Sequence, residues 1–310
     1  MSEQPTYGGQ AVIEGVMIRG SHHVAVAVRA PDGTIHLHTE ELTAPIYTSR
    51  WSKLPFLRGL VMLWDAIGLG TRALLWSAQV AMPEETPTAR SSPSSWEQVG
   101  AWGLVGFSLL MAILLFFIVP LVIVHRLDRF ISSDVTSNLI EGLIRLAILV
   151  GYIVAIGRME DVARVFAYHG AEHKTINAYE AGAPLTPEGV QPFGLTHPRC
   201  GTGFLLVVAV VSVFVFALLG RPAFLWRVVT RILLVPVVAS ISYELIRWGA
   251  RHYHRSLVQA LMAPAVALQR LTTREPTPDM LEVAITALQA VLRREHHTEP
   301  GRELTSVPKP

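Results

Sequence analysis

The uncharged run from Trp102 to Val124 is the feature that most restricts how this chain can fold. It is longer than the roughly 20 residues that a helix needs to cross the hydrocarbon core of a bilayer. Three further apolar runs follow, at residues 139–156, 204–219 and 232–246. We therefore predict a mainly α, polytopic helical membrane protein with about four transmembrane helices.

The composition supports a membrane protein and argues against nucleic acid as a partner. Hydrophobic residues make up 51% of the chain, charged residues only 16%, and the mean hydropathy is +0.39. The net charge of +2 is too small for a strong basic field. The single cysteine, Cys200, excludes an intramolecular disulfide framework. The N-terminus lacks a basic segment followed by an apolar one, so internal helices are expected to direct insertion.

The first 50 residues predict a small β element. Residues 22–40 alternate apolar and polar around Pro31-Asp32-Gly33, which is typical of a β-hairpin whose turn glycine has a positive φ. The preceding residues 7–20, YGGQAVIEGVMIRG, lack a phosphate-loop or dinucleotide spacing. They are expected to form a glycine-rich turn leading into the hairpin, or a close packing that aims Glu14 or Arg19 into a site.

Residues 51–82 predict an amphipathic or membrane-associated helix. Its polar residues recur every seven positions and form one narrow stripe: Arg58, Asp65, Arg72 and Gln79. The rest of the predicted organisation is a flexible linker at 83–95, a transmembrane bundle at 96–250, cytoplasmic helices at 251–295 and a disordered tail at 296–310. Within the last helix, Thr277-Pro278 is a start signal, and one apolar face follows it.

The distribution of arginine and lysine predicts the orientation. Few lie in the Arg126/Arg129 loop and in the connection after the third span, whereas more lie in the N-terminal region, in the loop 158–202 and after 246. We therefore expect a multi-pass protein of the cell membrane, with both termini and the loop 158–202 in the cytoplasm.

Within that loop, the stretch YHGAEHKTINAYE at 168–180 predicts a metal site. If 161–181 is helical and stops at Gly182, then His169, Glu172 and His173 share the apolar stripe. Burying a carboxylate beside two imidazoles is costly unless each has a partner, and a divalent cation would serve all three. His-x-x-Glu-His is a catalytic zinc pattern. The alternatives are histidines satisfied by hydrogen bonds in a polar core, or a closed structural ion.

The segment THPRCG at 196–201 offers further ligands. His197 and Cys200 are separated by two residues, a spacing that lets an imidazole and a thiolate reach one ion. Cys200 could instead be an ordinary buried small residue. A Cys200 nucleophile with His197 as its base is the weaker interpretation, because Pro198 intervenes and no oxyanion feature accompanies it.

Glu244, in the last apolar run, is the other candidate. A carboxylate inside a span costs on the order of 3 kcal/mol at the centre, so it suggests a functional site by default. An ion pair with Arg247 is the alternative. The predicted topology brings Glu244 to the same membrane face as His169 and Cys200.

Five segments resemble, in the same order, the bacterial YqhQ-like family: GGQAVIEGVMIRG, YHGAEHKTINAYE, HPRCGT, ISYE and QRLTTREP. The similarity runs from about Tyr7 to Arg293. It implies a multi-pass membrane protein, thought to be a metal-dependent enzyme, without a settled reaction. The positions that match the motifs of the family are Gln10, Glu14, Arg19, His169, Glu172, His173, Lys174, Glu180, His197, Arg199, Cys200 and Glu244.

The leading hypothesis is a metal-dependent membrane hydrolase that uses a metal-bound water at the cytoplasmic face. In it, His169 and His173 bind a divalent ion, with zinc preferred, and His197, Cys200 or Glu244 complete the shell. Glu172 is the general base, and the substrate is an unknown membrane-associated molecule. The alternatives are a non-enzymatic scaffold or assembly factor with a structural metal site, and a less fitting ion transporter.

Overall fold

The computed structural model describes residues 7–42, 54–82 and 95–298, which are mainly helical with one small sheet. The strands are β1 (Gly8–Val12), β2 (Gly15–Arg19), β3 (His23–Arg29) and β4 (Ile35–Glu41). The helices are α1 (Leu57–Ala81), α2 (Ser95–Ile113), α3 (Val119–Leu127), α4 (Asp134–Ile156), α5 (Glu160–Glu180), α6 (Pro187–Val190), α7 (Gly201–Ala217), α8 (Phe224–Leu233), α9 (Val235–Arg251), α10 (Ser256–Thr272) and α11 (Pro278–Thr298). One π-helical turn (Leu114–Ile118) joins α2 to α3, and one 3₁₀ turn (Asp128–Phe130) follows α3.

The four strands form an antiparallel meander in the order β1-β2-β3-β4. The predicted hairpin corresponds to β3 and β4, and the φ of Gly33 is +86°, as its turn requires. The glycine-rich stretch before it is not a turn leading into that hairpin. It forms a second hairpin, β1 and β2, in which Gly9 pairs with Ile18 and Glu14 takes a φ of +51° at the turn.

The sheet lies between two helical layers because its side chains alternate between two apolar faces. On one face, Val16, Ile18, Ala25 and Ala27 pack against α5 and α11. The opposite face packs against α1 through Leu69 and Ala73. The sheet is therefore covered on both sides, and α5 is held directly against the N-terminal strands.

The predicted polar stripe of α1 joins this helix to other elements through ion pairs. Arg58 pairs with Glu244 of α9, and Asp65 pairs with Arg19 of β2. A third pair joins Arg72 to Glu40 at the end of β4. The stripe therefore contacts the sheet on one side and the bundle on the other, and the seven-residue spacing reflects these contacts.

The other helices form an apolar bundle in which α7 packs against α4, α9 and α10. Of the four predicted spans, two or three have the length and composition for crossing a membrane among the described residues. Gly103–Phe130 and Asp134–Ile156 are long and apolar enough to cross a membrane, and α8 with α9 would add a third if this pair, bent by 45°, is one span. The apolar run at 204–219 falls in α7, which is too short to pass the same criterion.

The C-terminal helix begins where its signals predict. α11 starts at Pro278, directly after Thr277, and its apolar face contributes Leu281, Ala284 and Leu288 to the core with α5 and the sheet. The helix continues to Thr298, into the predicted tail of 296–310. The rest of that tail and residues 83–94 of the predicted linker lie outside the described residues.

The packing of α4 on α7 can be tested at a glycine. A Cβ at Gly142 would collide with Cγ2 of Val213, so Gly142→Ala should lower the free energy of unfolding by about 1–3 kcal/mol, despite the higher helix propensity of alanine. Gly151, on the same helix, has nothing within 4 Å of such a Cβ. Gly151→Ala should leave the thermal unfolding midpoint in detergent unchanged or raise it. An equal response of the two variants would contradict this packing.

Candidate metal centre

Helix α5 brings two imidazole rings together on one side. His169 and His173 are four residues apart, one helical turn, and their ring centroids are 4.3 Å from each other. The helix spans Glu160–Glu180 and stops before Gly182, whose φ is +72°. The predicted helix and its glycine stop are confirmed. His173 is fully buried, whereas His169 is partly exposed.

Each of these rings is fixed by a backbone carbonyl. Nδ1 of His169 lies 2.9 Å from the carbonyl oxygen of Thr272, and Nδ1 of His173 lies 2.6 Å from that of Leu195. A carbonyl only accepts hydrogen bonds, so each Nδ1 carries the proton and donates it. In the neutral rings, both Nε2 atoms therefore bear the lone pair that a metal ligand needs.

The sulfur of Cys200 completes the group. Nε2 of His169 lies 3.2 Å from Sγ, and the ligand atoms of His169, His173 and Cys200 all lie within 4.8 Å of one another. Cys200 is the N-cap of α7, and its Sγ accepts a hydrogen bond from the backbone N–H of Thr202 at 3.4 Å. This hydrogen bond fixes the sulfur at the start of α7.

The group fits a metal ion in its donor chemistry. Two imidazoles with oriented lone pairs and one thiol are the donor types that zinc-like ions accept. Hydrogen bonds from Nδ1 to carbonyl groups are typical of histidines that bind metals through Nε2. In the described part of the chain, this is the only group of three or more such residues that could hold an ion.

Glu172 is next to the group but is not a member of it. Its carboxylate accepts a backbone hydrogen bond from Gly9 of β1, while its Oε2 is buried without a hydrogen-bond partner among the described residues. Burial raises the pKa of Glu172 to about 7, although the charge of His169 and the Gly9 hydrogen bond act to lower it. A buried carboxylate with an unpartnered oxygen is suited to hold or accept a proton.

His197 is buried on the other side of His173, with ring centroids 6.0 Å apart, and both of its nitrogens have other partners. Its Nδ1 accepts the backbone N–H of Arg199 at 3.3 Å, and its Nε2 faces Glu180 at 3.5 Å. Arg199 also pairs with Glu180. Burial acts to raise the pKa of Glu180, but the His197 hydrogen bond and the Arg199 charge outweigh it and lower that pKa.

Glu244 takes part in a different interaction. It forms an ion pair with Arg58 of α1 and accepts the backbone N–H of Phe56 at 3.1 Å. Arg247, the partner that its spacing suggests, adds a favourable charge from the same helix. Glu244 is therefore part of the contact between α1 and α9, and it does not belong to the group of His169, His173 and Cys200.

Two predicted supporting residues in the N-terminal hairpin also form ion pairs. Glu14 pairs with Arg164 of α5 and accepts a hydrogen bond from the hydroxyl of Tyr168 at 3.2 Å. Arg19, in the same hairpin, pairs with Asp65. These contacts tie the sheet to α5 and α1.

Lys174, a third supporting residue, is buried on α5. Its Nζ donates to the carbonyl of Gln191 and pairs with Glu275, both at 2.6 Å. Gln191 also donates from Nε2 to Glu275 at 2.9 Å. Lys174 therefore holds the segment after α10 and the one after α6 against α5.

Several groups that build the site could not be identified from the sequence. The carbonyls of Thr272 and Leu195 belong to the main chain, which leaves no signature in a residue pattern. Gln269 of α10 holds the main chain of His197 through two hydrogen bonds of 2.9 Å, one to its N–H and one to its carbonyl. Gln269 is the first residue of the segment QRLTTREP, but nothing in the sequence pattern pointed from it to His197.

Comparison with known proteins identifies relatives but no activity. The model of the family described as "Protein of unknown function (DUF1385)" matches residues 54–294. "Uncharacterized protein YqhQ" of Bacillus subtilis (strain 168) is 34% identical over 307 residues, which cover 96% of each chain. No solved structure matches the chain.

The contact between β1 and Glu172 can be tested with two neighbouring glycines. A Cβ at Gly9 would collide with the Met17 carbonyl and lie 2.9 Å from Cδ of Glu172, whereas one at Gly8 has nothing within 4 Å. Gly9→Ala should lower the free energy of unfolding by about 1–3 kcal/mol, measured by thermal unfolding in detergent. Gly8→Ala should have little effect. Equal stability of the two variants would show that β1 does not approach Glu172.

Proposed function

We propose that this chain, which belongs to the family "Protein of unknown function (DUF1385)", is a membrane metalloenzyme, a hydrolase that acts at the cytoplasmic face. The observation that carries this proposal is the number of ligands. Three side chains, His169, His173 and Cys200, offer donors to one point, and His197 is engaged elsewhere. A four-coordinate ion held by three side chains keeps one position open, as catalytic sites do, whereas structural sites are closed.

Zinc is the ion that we propose for this site. Its usual donors are imidazole nitrogen and cysteine sulfur, and sites with three protein ligands occur in zinc enzymes. Harder ions such as magnesium and calcium prefer oxygen donors, and the group contains none. When bound, the ion supplies a Lewis acid that polarises a substrate and activates water.

Glu172 is the proposed general base. It is adjacent in sequence to His173 and one turn from His169 on the same helix, and its Oε2 has no hydrogen-bond partner among the described residues. That oxygen is therefore free to accept a proton from a water molecule as the water attacks. The backbone of Gly9 holds the carboxylate in place through a hydrogen bond. Only a residue without a Cβ fits at this position.

His197 and Glu180 have a supporting role in this proposal. The Gln269 side chain fixes the backbone of His197, and that segment leads directly to Cys200. The pair with Glu180 anchors the loop to the end of α5, so that Cys200 is kept opposite His169. The alternative, a scaffold with a structural ion, would require His197 to turn towards the group and close the shell.

The membrane location is proposed from the apolar surface of the bundle. Exposed large apolar side chains stand on the candidate spans and their neighbours, including Leu104, Phe107, Leu143, Phe214 and Leu233. A surface of this kind matches the hydrocarbon of a lipid bilayer. We propose a multi-pass arrangement with both termini and the metal centre in the cytoplasm. The substrate would be a membrane-associated molecule with a peptide, ester or phosphate bond.

Metal content of the detergent-purified chain tests the ligand set. The wild type should hold one zinc per chain. His173→Ala and Cys200→Ser should each weaken zinc binding by more than about 100-fold, because loss of a residue that binds the metal costs more affinity than loss of a residue that only hydrogen-bonds to a ligand. His197→Gln should keep its zinc with an affinity lowered by no more than about 10–100-fold, because that side chain positions the Cys200 segment but is not a ligand. A wild type without metal would refute the site. Loss of zinc in His197→Gln would support the structural alternative.

The role of Glu172 is tested by Glu172→Gln, which keeps the shape of the side chain. This variant should hold zinc like the wild type but lose about 10²–10⁴-fold in the rate of zinc-dependent hydrolysis. The assay is a screen of peptide, ester and phosphate-ester substrates in mixed micelles, with His197→Gln as a zinc-loaded control. Equal rates for Glu172→Gln and the wild type would exclude the general-base role.

Cysteine labelling of intact cells tests the orientation. Glu188 on α6 is exposed, so Glu188→Cys should resist a membrane-impermeant maleimide until the cells are opened. Ser132, exposed between α3 and α4, lies on the other side in the proposed topology. Ser132→Cys should therefore react in intact cells, and the parent chain with its buried Cys200 gives the background. Labelling of Glu188→Cys in intact cells would overturn the cytoplasmic placement.

A further inference from the structure

A cluster of arginines lies buried in the bundle, away from the residues of the metal centre. Arg145 comes from α4, and Arg227 and Arg231 come from α8, and their relative exposures are 3%, 2% and 0%. Between them lies Glu141 of α4, with 1% exposure. Guanidinium groups are rarely buried to this degree unless paired, because the loss of hydration is expensive.

The carboxylate of Glu141 is shared by all three arginines. Its Oε1 accepts from Nη2 of Arg145 at 2.8 Å and from Nε of Arg231 at 3.0 Å. Its Oε2 accepts from Nη2 of Arg231 at 2.9 Å and lies 3.6 Å from Nη2 of Arg227. Since both α8 guanidinium groups approach the same oxygen, they lie close to each other, and one negative charge cannot balance the three positive charges.

When the carboxylates around the cluster are counted against its arginines, one positive charge remains unbalanced. Asp128 pairs with Arg227 at 2.5 Å and lies 3.5 Å from Arg221, which also pairs with Asp134 at 2.6 Å. With these residues included, four arginines face three carboxylates. His125 lies 3.9 Å from Asp128 and is half exposed, so any charge on it would add to the excess.

Three buried nitrogens of Arg227 and Arg231 are unused hydrogen-bond donors. Nε and Nη2 of Arg227 and Nη1 of Arg231 are buried without a hydrogen-bond partner among the described residues. Arg145 differs, because its three nitrogens donate to Phe116, Ser212 and Glu141. The ring of Phe216 lies 4.2 Å from Cζ of Arg231, but an aromatic face covers the plane of a guanidinium and not its N–H edge.

We propose that Arg227 and Arg231 bind a small inorganic anion of the chloride type. One monovalent anion would neutralise the excess charge and accept hydrogen bonds from the unused donors of both side chains. The enclosure of both arginines and of Glu141 favours an ion of this size over a phosphate headgroup, which would need an opening to the surface. The site would join α4 to α8, independently of the metal centre and of the hydrolase activity.

The test uses the full chain in an uncharged detergent at constant ionic strength, with sodium gluconate replaced stepwise by sodium chloride. Because chloride would bind the folded state, the thermal unfolding midpoint should rise and saturate, by roughly 5 °C once chloride exceeds its dissociation constant about 100-fold. Gluconate is too large for the site and should give no rise. An unfolding midpoint that is the same in both salts overturns the proposal.

Two variants with the same change of charge locate the effect. Arg227→Gln removes two of the three unused donors and the excess charge, and should abolish the dependence on chloride. Arg221→Gln also removes one positive charge, but the donors of Arg221 are all partnered, by Asp134, Ile131 and Ser132. It should weaken the dependence on chloride without abolishing it, because the excess charge is lost but the three unused donors of Arg227 and Arg231 remain. Loss of the dependence in both variants would assign the effect to overall charge and overturn the site.

A second measurement is independent of the folding of the variants. In ³⁵Cl NMR of the wild type from which a chelator has removed zinc, exchange with a protein site broadens the chloride line in proportion to protein concentration. The excess broadening should fall when bromide competes for the site, whereas gluconate at the same concentration should leave it unchanged. No excess broadening over detergent alone would contradict the proposal, even if Arg227→Gln fails to fold.

Discussion

Two hydrogen bonds from imidazole to backbone carbonyl determine what the centre of this protein can do. They fix Nδ1 of His169 on Thr272 and Nδ1 of His173 on Leu195, so that both Nε2 lone pairs remain for a ligand. The two carbonyls belong to separate segments, the end of α10 and the loop before α7. The site therefore requires that both segments pack on α5, and α5 in turn is held between the sheet and α11.

The sequence predicted the parts of the site that depend on local periodicity. The α5 helix, the adjacent rings of His169 and His173 and the hairpin at Gly33 follow from spacing and turn chemistry, and the structure confirms them. Long-range partners did not follow. Cys200 contacts His169, but His197, only three residues before it, contacts Glu180 instead. Which partner each side chain contacts depends on tertiary packing, and residue spacing carries no information about it.

The same limit explains the remaining differences. Glu244 suggested a functional site because a carboxylate in an apolar run is costly, yet its partner, Arg58, is remote in sequence. Hydropathy also predicted a span at 204–219, where α7 is apolar throughout but has only 17 residues and falls short of the length of a candidate span. In the bundle part of its surface packs against α4, α9 and α10, whereas side chains such as Val210 and Phe214 are exposed.

X-ray absorption spectroscopy of the zinc-loaded, detergent-purified chain tests the proposed centre most directly. The account predicts one sulfur at about 2.3 Å and two imidazole nitrogens at about 2.0–2.1 Å, with one further light atom that a small anion or inhibitor can replace. Cys200→Ser should remove the sulfur contribution and leave the imidazole pattern. A wild-type spectrum with three imidazoles and one sulfur, unchanged by added anions, would contradict an open centre, and a spectrum without sulfur would contradict the ligand set.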